Sequence, residues 1–442
     1  MPSKAQSSFN GYDLEDLLPR WLQNAYTTPH IQSALTALDE REDARSSFRA
    51  AKAAAATEAV SSHLHNSDSK TESSESTKFY SIVSGISPDN MRRNRYMDVL
   101  PYDRTRVQVK VPHFRDSGAL SNEDEELEGL YINANWVQEK YGKKWWIASQ
   151  APLRNTAYTF LSLLLEDMYP PKPHSHAPHH SRPRTVVQLT QNIESGRRKA
   201  HPYFPDVVGQ TMTVVPDFTD YPSSSTSTSQ LQRSKLKVTL VAQERIGEAC
   251  CVKTTSKYTT TPAAIRFTHL LFNAWPDHSV PSPSDRAALF EFVRLVDRVN
   301  RQMPSSSSSE QDLDPDPPII VGCSAGIGRT GSFIAMNSLL RHAGFLPPPG
   351  YSTISESHSA ALQQLTQSPS IPSGPATPSE PSATSLTTPL GPLPTTLSTD
   401  LVSQEIDSLR EQRAGMVQRP EQAVLVYEMM VGAYVERGEL KR

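Results

Sequence analysis

From Phe79 to the C-terminus, apolar runs alternate with polar, proline-rich breaks. YINANWVQ, KWWIASQAPL, TVVQLTQNI, TMTVVPDF, LKVTLVAQERI and AIRFTHLLFNAW are rich in β-branched and aromatic residues and predict strands. TAYTFLSLLLEDMY, SDRAALFEFVRLVDRVNRQM and PEQAVLVYEMMVGAYVERGELKR carry apolar residues at helical spacing. Ser282 or Ser284 is placed to cap the second of these. Ahead of Phe79, residues 13–57 have helix formers with a discontinuous apolar face, and residues 61–78 are polar. The pattern divides the chain into a helical extension with a polar linker, 1–78, and a main domain, 79–442. Strands and helices mixed along that domain predict an α/β or α+β fold.

Four low-complexity stretches, 170–184, 222–230, 304–317 and 346–400, break this pattern. None holds enough apolar surface to offset the entropy of ordering. Strand and helix signals resume after each, so they read as disordered insertions within one domain. The excess of proline over glycine, 36 against 19 in 442 residues, fits a folded core diluted in this way. A formal net charge of −3 gives no electrostatic case for nucleic acid or an anionic membrane. The three cysteines, Cys250, Cys251 and Cys323, make no disulfide framework and fit a reducing compartment. Cys250 and Cys251 read as small buried or half-buried apolar residues. The N-terminus lacks the apolar core of a secretory signal, and no stretch approaches the length of a membrane span. The expectation is a cytoplasmic protein, with the nucleus left open.

The densest chemistry lies in VGCSAGIGRTGSF, from Val321 to Phe333. An apolar strand-like run precedes it. RTGSFIAMNSLLRHAG follows, a helix expected to pack through Phe333, Ile334, Met336, Leu339 and Leu340. A strand, a loop of small residues (Ser324, Ala325, Gly326, Ile327, Gly328) and a helix N-terminus form a cradle for a tetrahedral oxyanion. Arg329 can grip two of its oxygens through its planar fork. The same donors stabilise a Cys323 thiolate, and the Thr330 hydroxyl can donate to it. The result is a nucleophile beside a phosphate-shaped hole.

This string resembles the phosphate-binding loop of the cysteine-dependent protein tyrosine phosphatases of the non-receptor type, pattern (I/V)HCxAGxGR(S/T)G, with Gly322 where that family has His. Further motifs follow the family's order. NAWPDHSVP is similar to its WPD loop, which implies Asp277 as general acid and then general base. LREQRAGMVQRPEQAVLVYE resembles its glutamine loop, which implies that Gln418 orients water and Gln422 supports it. RRNRYMDVLPYDRTRV resembles its phosphotyrosine-recognition loop. On that match Tyr96 stacks on the substrate ring and sets pocket depth, Asp98 accepts from the substrate backbone, and Val99 lines the ring edge. YINANWV and IASQAPLRNT resemble two core motifs, and NIESGRRKAHPYFP puts Glu194 where a glutamate braces the loop arginine and Lys199 where a lysine meets the acid loop. The resemblance implies the phosphatase fold, a highly twisted central mixed β-sheet flanked by α-helices. It also implies hydrolysis of phosphotyrosine in proteins through a phosphocysteine, with no metal and no organic cofactor.

Two other readings stay open. Gly322 weakens the family's depression of the thiol pKa, so a catalytically weak or silent phosphotyrosine-binding pseudophosphatase is the alternative. A dual-specificity enzyme is disfavoured by the complete Asn94-Arg95-Tyr96 loop, which such enzymes lack. Ser368-Pro369, Thr377-Pro378 and Thr388-Pro389 are candidate sites for proline-directed kinases, and Pro347 to Pro349 for a proline-reading domain, against the plainer reading of a flexible loop. PHSHAPHH reads as solvated rather than metal-binding.

Overall fold

Ile319, Ile320 and Val321 present no polar face, which suits a strand buried on both sides between parallel neighbours. The computed structural model bears this out. It describes residues 8–9, 12–13, 17–62, 75–109, 130–171, 180–217, 235–259, 265–277, 279–302, 313–350 and 388–440. The main sheet contains β1 (Arg106–Val109), β2 (Leu130–Gln138), β3 (Trp145–Gln150), β4 (Thr185–Gln188), β7 (Thr211–Val214), β8 (Leu236–Ile246), β9 (Cys251–Tyr258), β10 (Arg266–Phe272) and β11 (Ile319–Cys323). A separate hairpin pairs β5 (Ile193–Glu194) with β6 (Arg197–Arg198). The nine strands lie in the order β1-β2-β3-β11-β4-β10-β9-β8-β7. The middle four, β3, β11, β4 and β10, are parallel, and antiparallel strands extend the sheet on either side. Val321 faces Ala148 on one side and Val187 on the other, so Cys323 sits at the carboxyl end of the parallel core, where open α/β sheets place their ligand sites.

The helices that matter here are α1 (Arg20–Ala25), α2 (Thr28–Ser62), α3 (Ala157–Ser162), α4 (Arg286–Asn300), α5 (Gly328–His342), α6 (Leu401–Gln412) and α7 (Pro420–Leu440). One core joins Phe272, Phe292, Phe333, Ile406 and Met430 to Trp146 of the sheet; the other joins Trp136, Tyr158, Phe160 and Phe267. Trp146 and Phe292 meet the Phe333 ring at 5.9 and 5.7 Å between centroids, which seats α5 on the sheet. Among the described residues no helix is long and apolar enough to cross a membrane.

Several expectations are corrected. The helix after the cysteine loop has no exposed face: every residue from Gly328 to Arg341 is buried. Its polar residues are satisfied internally, Ser338 by Glu405 at 2.6 Å and Arg341 by Asp297 at 2.9 Å. TAYTFLSLLLEDMY yields only the six residues of α3, because Leu164 and Leu165 tighten into i→i+3 bonds at the end of a run, Thr156 to Leu165, that is buried throughout. Neither serine caps α4; Ser282 Oγ instead bonds the Asp285 carboxylate and Ser284.

The insertions are also narrower than their composition implied. Residues 180–184, 313–317, 346–350 and 388–400 are described parts of the fold. Asp316 is buried against Lys144 and Arg301, and Asp400 caps the unforeseen α6 by accepting from Val402 and Ser403 N–H. The stretch 222–230, the two proline-directed sites before residue 388 and all of PHSHAPHH but His180 lie outside the described residues. The N-terminal extension docks through α2. Arg45 is fully buried between Asp407 and Glu411 of α6, and Arg41 binds Asp407 and the Gly391 carbonyl.

Candidate active site

Between the end of β11 at Cys323 and the start of α5 at Gly328 the chain turns sharply. Gly326 adopts φ of +73°, and a Cβ there would lie 2.2 Å from the Ser149 carbonyl, so only glycine fits. The loop is held from behind by Arg413. This buried guanidinium donates to the carbonyls of Gly326 (2.8 Å) and Ala325 (3.1 Å), and to Asn135 and Asn133 of β2. Pinning the carbonyls to one side turns the N–H groups of the same peptides to the other, where an anion is met. Sequence reasoning missed Arg413; the alternating asparagines of YINANWV and the second arginine of LREQR were its only signal.

Burial alone makes a thiol harder to ionise, as Cys251 shows: it is pushed up to about 12. Cys323 is as deeply placed, at 6% exposure, yet its thiol lies below the ordinary value. Burial pushes it up; the Arg329 charge, the Thr330 hydroxyl and the N–H groups of Thr330 and Gly326 together outweigh it. The Thr330 hydroxyl is buried, and it is one of the influences that draw the thiol down. Gly322 fits where a larger residue would not: a Cβ would lie 2.6 Å from Ser149 O. Beside it is a cavity of about 20 Å³ lined by Gln150, Phe160, Gln188 and Tyr203, enough for a water and too small for an imidazole.

Arg329 is gripped on both edges. Its guanidinium donates to Glu194 at 2.7 and 2.8 Å, to the Leu189 carbonyl at 3.0 Å and to Asp277 at 3.0 Å. The other oxygen of Asp277 pairs with Lys199 at 2.7 Å. Glu194 is itself held by the Thr190 hydroxyl and the Gln191 N–H, both at 2.9 Å. The geometry thus brings Cys323, Arg329, Asp277, Glu194 and Lys199 to one place. The acid loop is anchored by buried Trp275, whose indole N–H donates to Ser279 O at 3.1 Å.

A second support lies one strand further out. His269 on β10 donates from Nε2 to Gln188 Oε1 on β4 at 3.1 Å, which leaves the Gln188 amide N–H groups for Thr190 O and Asn192 Oδ1. Burial holds His269 down to about 3, so it stays neutral. This pair fixes the root of the segment that carries Glu194 and Lys199, whose N–H bonds Asn192 O. Nothing in a single sequence linked these positions.

The remaining expected residues border the loop. The Tyr96 hydroxyl and Ser324 Oγ are 2.8 Å apart, and Ser324 also donates to Lys199 O at 2.9 Å. Val99 is buried with its carbonyl on Asn133, and Asp98 is exposed. Gln422 is buried, and its side chain lies 2.9 Å from where a Cβ on Gly328 would stand. Gln418 is exposed, following Val417 with φ of +55° and an N–H bonded to Ile327 O at 3.2 Å. Among the described residues no cluster of three or more histidine, cysteine or carboxylate side chains is arranged to hold a metal.

Residues 90–345 match the family model of the protein-tyrosine phosphatases. The chain belongs to the protein-tyrosine phosphatase family. The matched region runs from the Tyr96 loop through Arg329 and ends before the glutamine loop. Receptor-type tyrosine-protein phosphatase eta of Mus musculus is 32% identical over 253 residues, 57% of this chain and 16% of that protein. Tyrosine-protein phosphatase non-receptor type 13 of Homo sapiens is 27% identical over 259 residues, 58% of this chain and 8% of that one. Tyrosine phosphatase H2 of Microplitis demolitor bracovirus is 29% identical over 255 residues, covering 63% of its length. The chain spans about a sixth of the length of the mouse relative.

Proposed function

We propose that this phosphatase-family chain hydrolyses phosphotyrosine in proteins in two steps. The Cys323 thiolate attacks phosphorus, the bond from phosphorus to the tyrosine oxygen breaks, and Asp277 gives that oxygen its proton. Water, oriented by Gln418 with Gln422 behind it, then attacks the phosphocysteine. Asp277 takes its proton, the thiolate leaves, and inorganic phosphate is released. Arg329 and the loop N–H groups hold the phosphoryl oxygens through both steps. Tyr96 and Val99 form the walls that suit a long aromatic phosphoester over a short seryl one.

The observation that carries this reading is the contact of Asp277 with Arg329 at 3.0 Å, across 52 positions of sequence, beside a thiol drawn below its ordinary pKa. That pairing supplies acid, anion clamp and nucleophile together. A reaction that depends on a free thiolate supports action in a reducing compartment, cytosol or nucleus, on phosphotyrosyl proteins.

The test is phosphate release from phosphotyrosyl, phosphoseryl and phosphothreonyl peptides by wild type and Cys323→Ser. Release from phosphotyrosine alone, lost in the variant, is the expected result. Tight binding of the peptide by wild type without release replaces this reading with the pseudophosphatase one that Gly322 raises. Equal rates on all three peptides replace it with dual specificity.

A further inference from the structure

Thr388 is followed by Pro389, the pair that proline-directed kinases read. Unlike Ser368-Pro369 and Thr377-Pro378, it lies among the described residues, and it is not a loose piece of loop. Thr388 opens a tight turn. The Gly391 N–H bonds the Thr388 carbonyl at 2.9 Å, and the Thr388 hydroxyl donates to the Gly391 carbonyl at 3.4 Å. Proline at the second position and glycine at the fourth suit such a turn, and Gly391 takes φ of +62°. Pro389 is exposed and Thr388 half-buried.

Arg41 of α2 holds this turn. It donates to the carbonyls of Leu390 at 3.1 Å, Gly391 at 2.8 Å and Pro392 at 3.3 Å. Its other two bonds go to the two oxygens of Asp407 on α6, both at 2.9 Å. A guanidinium has five N–H groups, so these five bonds spend them all. The Thr388 hydroxyl thus rests on a carbonyl that a saturated cation already holds. Leu390 carries the same turn inward, packing on the cluster of Tyr80, Ile82, Leu100, Tyr102 and Ala414. Ala414 adjoins Arg413, which pins the cysteine loop from behind.

We propose that Thr388 is a phosphorylation site for a proline-directed kinase, and that the phosphate unlatches the turn from Thr388 to Pro392 from Arg41. The Thr388 oxygen attacks the γ-phosphorus of ATP, the bond from that phosphorus to the ADP oxygen breaks, and the hydroxyl proton passes to the kinase's base. The turn loses a donor, and a group of nearly two negative charges stands against the Gly391 carbonyl. Arg41 can meet it only by releasing bonds it now makes. The pair with Asp407 is charge-assisted and the carbonyl bonds are not, so the carbonyls are what it releases. Opening of the turn also gives a kinase access to Thr388, so opening and modification favour each other.

The full chain is treated with a mitogen-activated protein kinase and ATP. Phosphate is mapped by mass spectrometry, and amide exchange is followed in the stretch from Thr388 to Leu397. Phosphate is expected on Thr388 in wild type and not in Pro389→Ala. Exchange across the turn is expected to quicken by about tenfold on phosphorylation. Arg41→Lys keeps the charge without the fork. It is expected to quicken the same amides and to raise the rate of Thr388 phosphorylation by about threefold, with thermal melting to establish that the variant is folded. Absence of phosphate from Thr388 in both wild type and Arg41→Lys, with the kinase active on a standard Ser-Pro peptide, overturns the site. Phosphate on Thr388 that survives Pro389→Ala overturns the kinase class. Phosphate on Thr388 with exchange unchanged overturns the unlatching.

Discussion

Two buried cysteines in this chain differ because of what surrounds each sulfur. Cys251 meets mainly apolar neighbours and is pushed up to about 12, whereas Cys323 faces Arg329, Thr330 and loop N–H groups and is drawn down. The alkylation rate of Cys323 by iodoacetamide is therefore expected to rise with pH to a midpoint below that of a free cysteine, and Thr330→Ala should move that midpoint up. An unchanged midpoint in that variant would remove Thr330 from the thiolate's support. Gly322 makes a different demand. With its Cβ 2.6 Å from Ser149 O, Gly322→Ala must push β11 from β3, and urea unfolding should register a loss of about 1–3 kcal/mol. A neutral result would mean the strands give way freely. Cys323, Arg329 and Thr330 were readable because eight consecutive positions hold all three. Arg413, Gln188 and His269 were not, since each acts through a neighbour far off in sequence.

At the scale of elements, the site is held by docking between segments that a linear reading separated. α2 clasps α6 through Arg45, which lies between Asp407 and Glu411, and Glu411 also accepts from Tyr80 at 2.8 Å. α6 leads straight into Arg413 and the glutamine loop, so this clasp supports the back of the cradle. Arg45→Met leaves the buried Glu411 without a cationic partner and Asp407 with Arg41 alone. It should lower the unfolding free energy by about 3–5 kcal/mol, read by denaturant titration. A change under about 1 kcal/mol would show that the extension is dispensable to the fold. α6 escaped notice because its cap, Asp400, ends a stretch whose composition reads as disordered, and composition averages over residues that individually pack.

For the whole molecule, one buried carboxyl links folding to pH. Burial raises Glu405 to about 7, partly offset by the Ser338 hydroxyl and the Lys140 and Tyr141 N–H groups. A carboxyl raised on folding contributes its stability in full below its unfolded pKa and loses it as pH climbs through the folded one. Unfolding free energy should therefore fall by about 2–3 kcal/mol between pH 4.5 and 8 on account of this group, and Glu405→Gln should flatten the fall. An identical slope in the variant would assign the effect elsewhere. The long insertion offers a second test at this scale. Replacing residues 351–387 by a flexible linker is expected to leave turnover of a small phosphoryl ester within about twofold, since every residue of the candidate site lies outside that stretch. Extending the deletion to 395 removes the Leu390 and Gly391 carbonyls that Arg41 binds, and soluble yield should drop. Equal behaviour of the two deletions would argue against that anchoring role.

Local chemistry was written in the chain: the strand–loop–helix around Cys323, the β-branched and aromatic runs that make β2 and β3, and the residue types of an acid loop all follow from short-range pattern. Which charges meet was settled only by the folded arrangement. The closure of Asp277 on Arg329 and Lys199, the grip of Arg413 behind the loop, the displacement of a histidine's place by a 20 Å³ cavity, and the burial of α5 on every side depend on parallel strands aligning β3, β11, β4 and β10. Sheet register and helix docking are sums of many weak long-range contacts, and no window of sequence contains both partners of any of them.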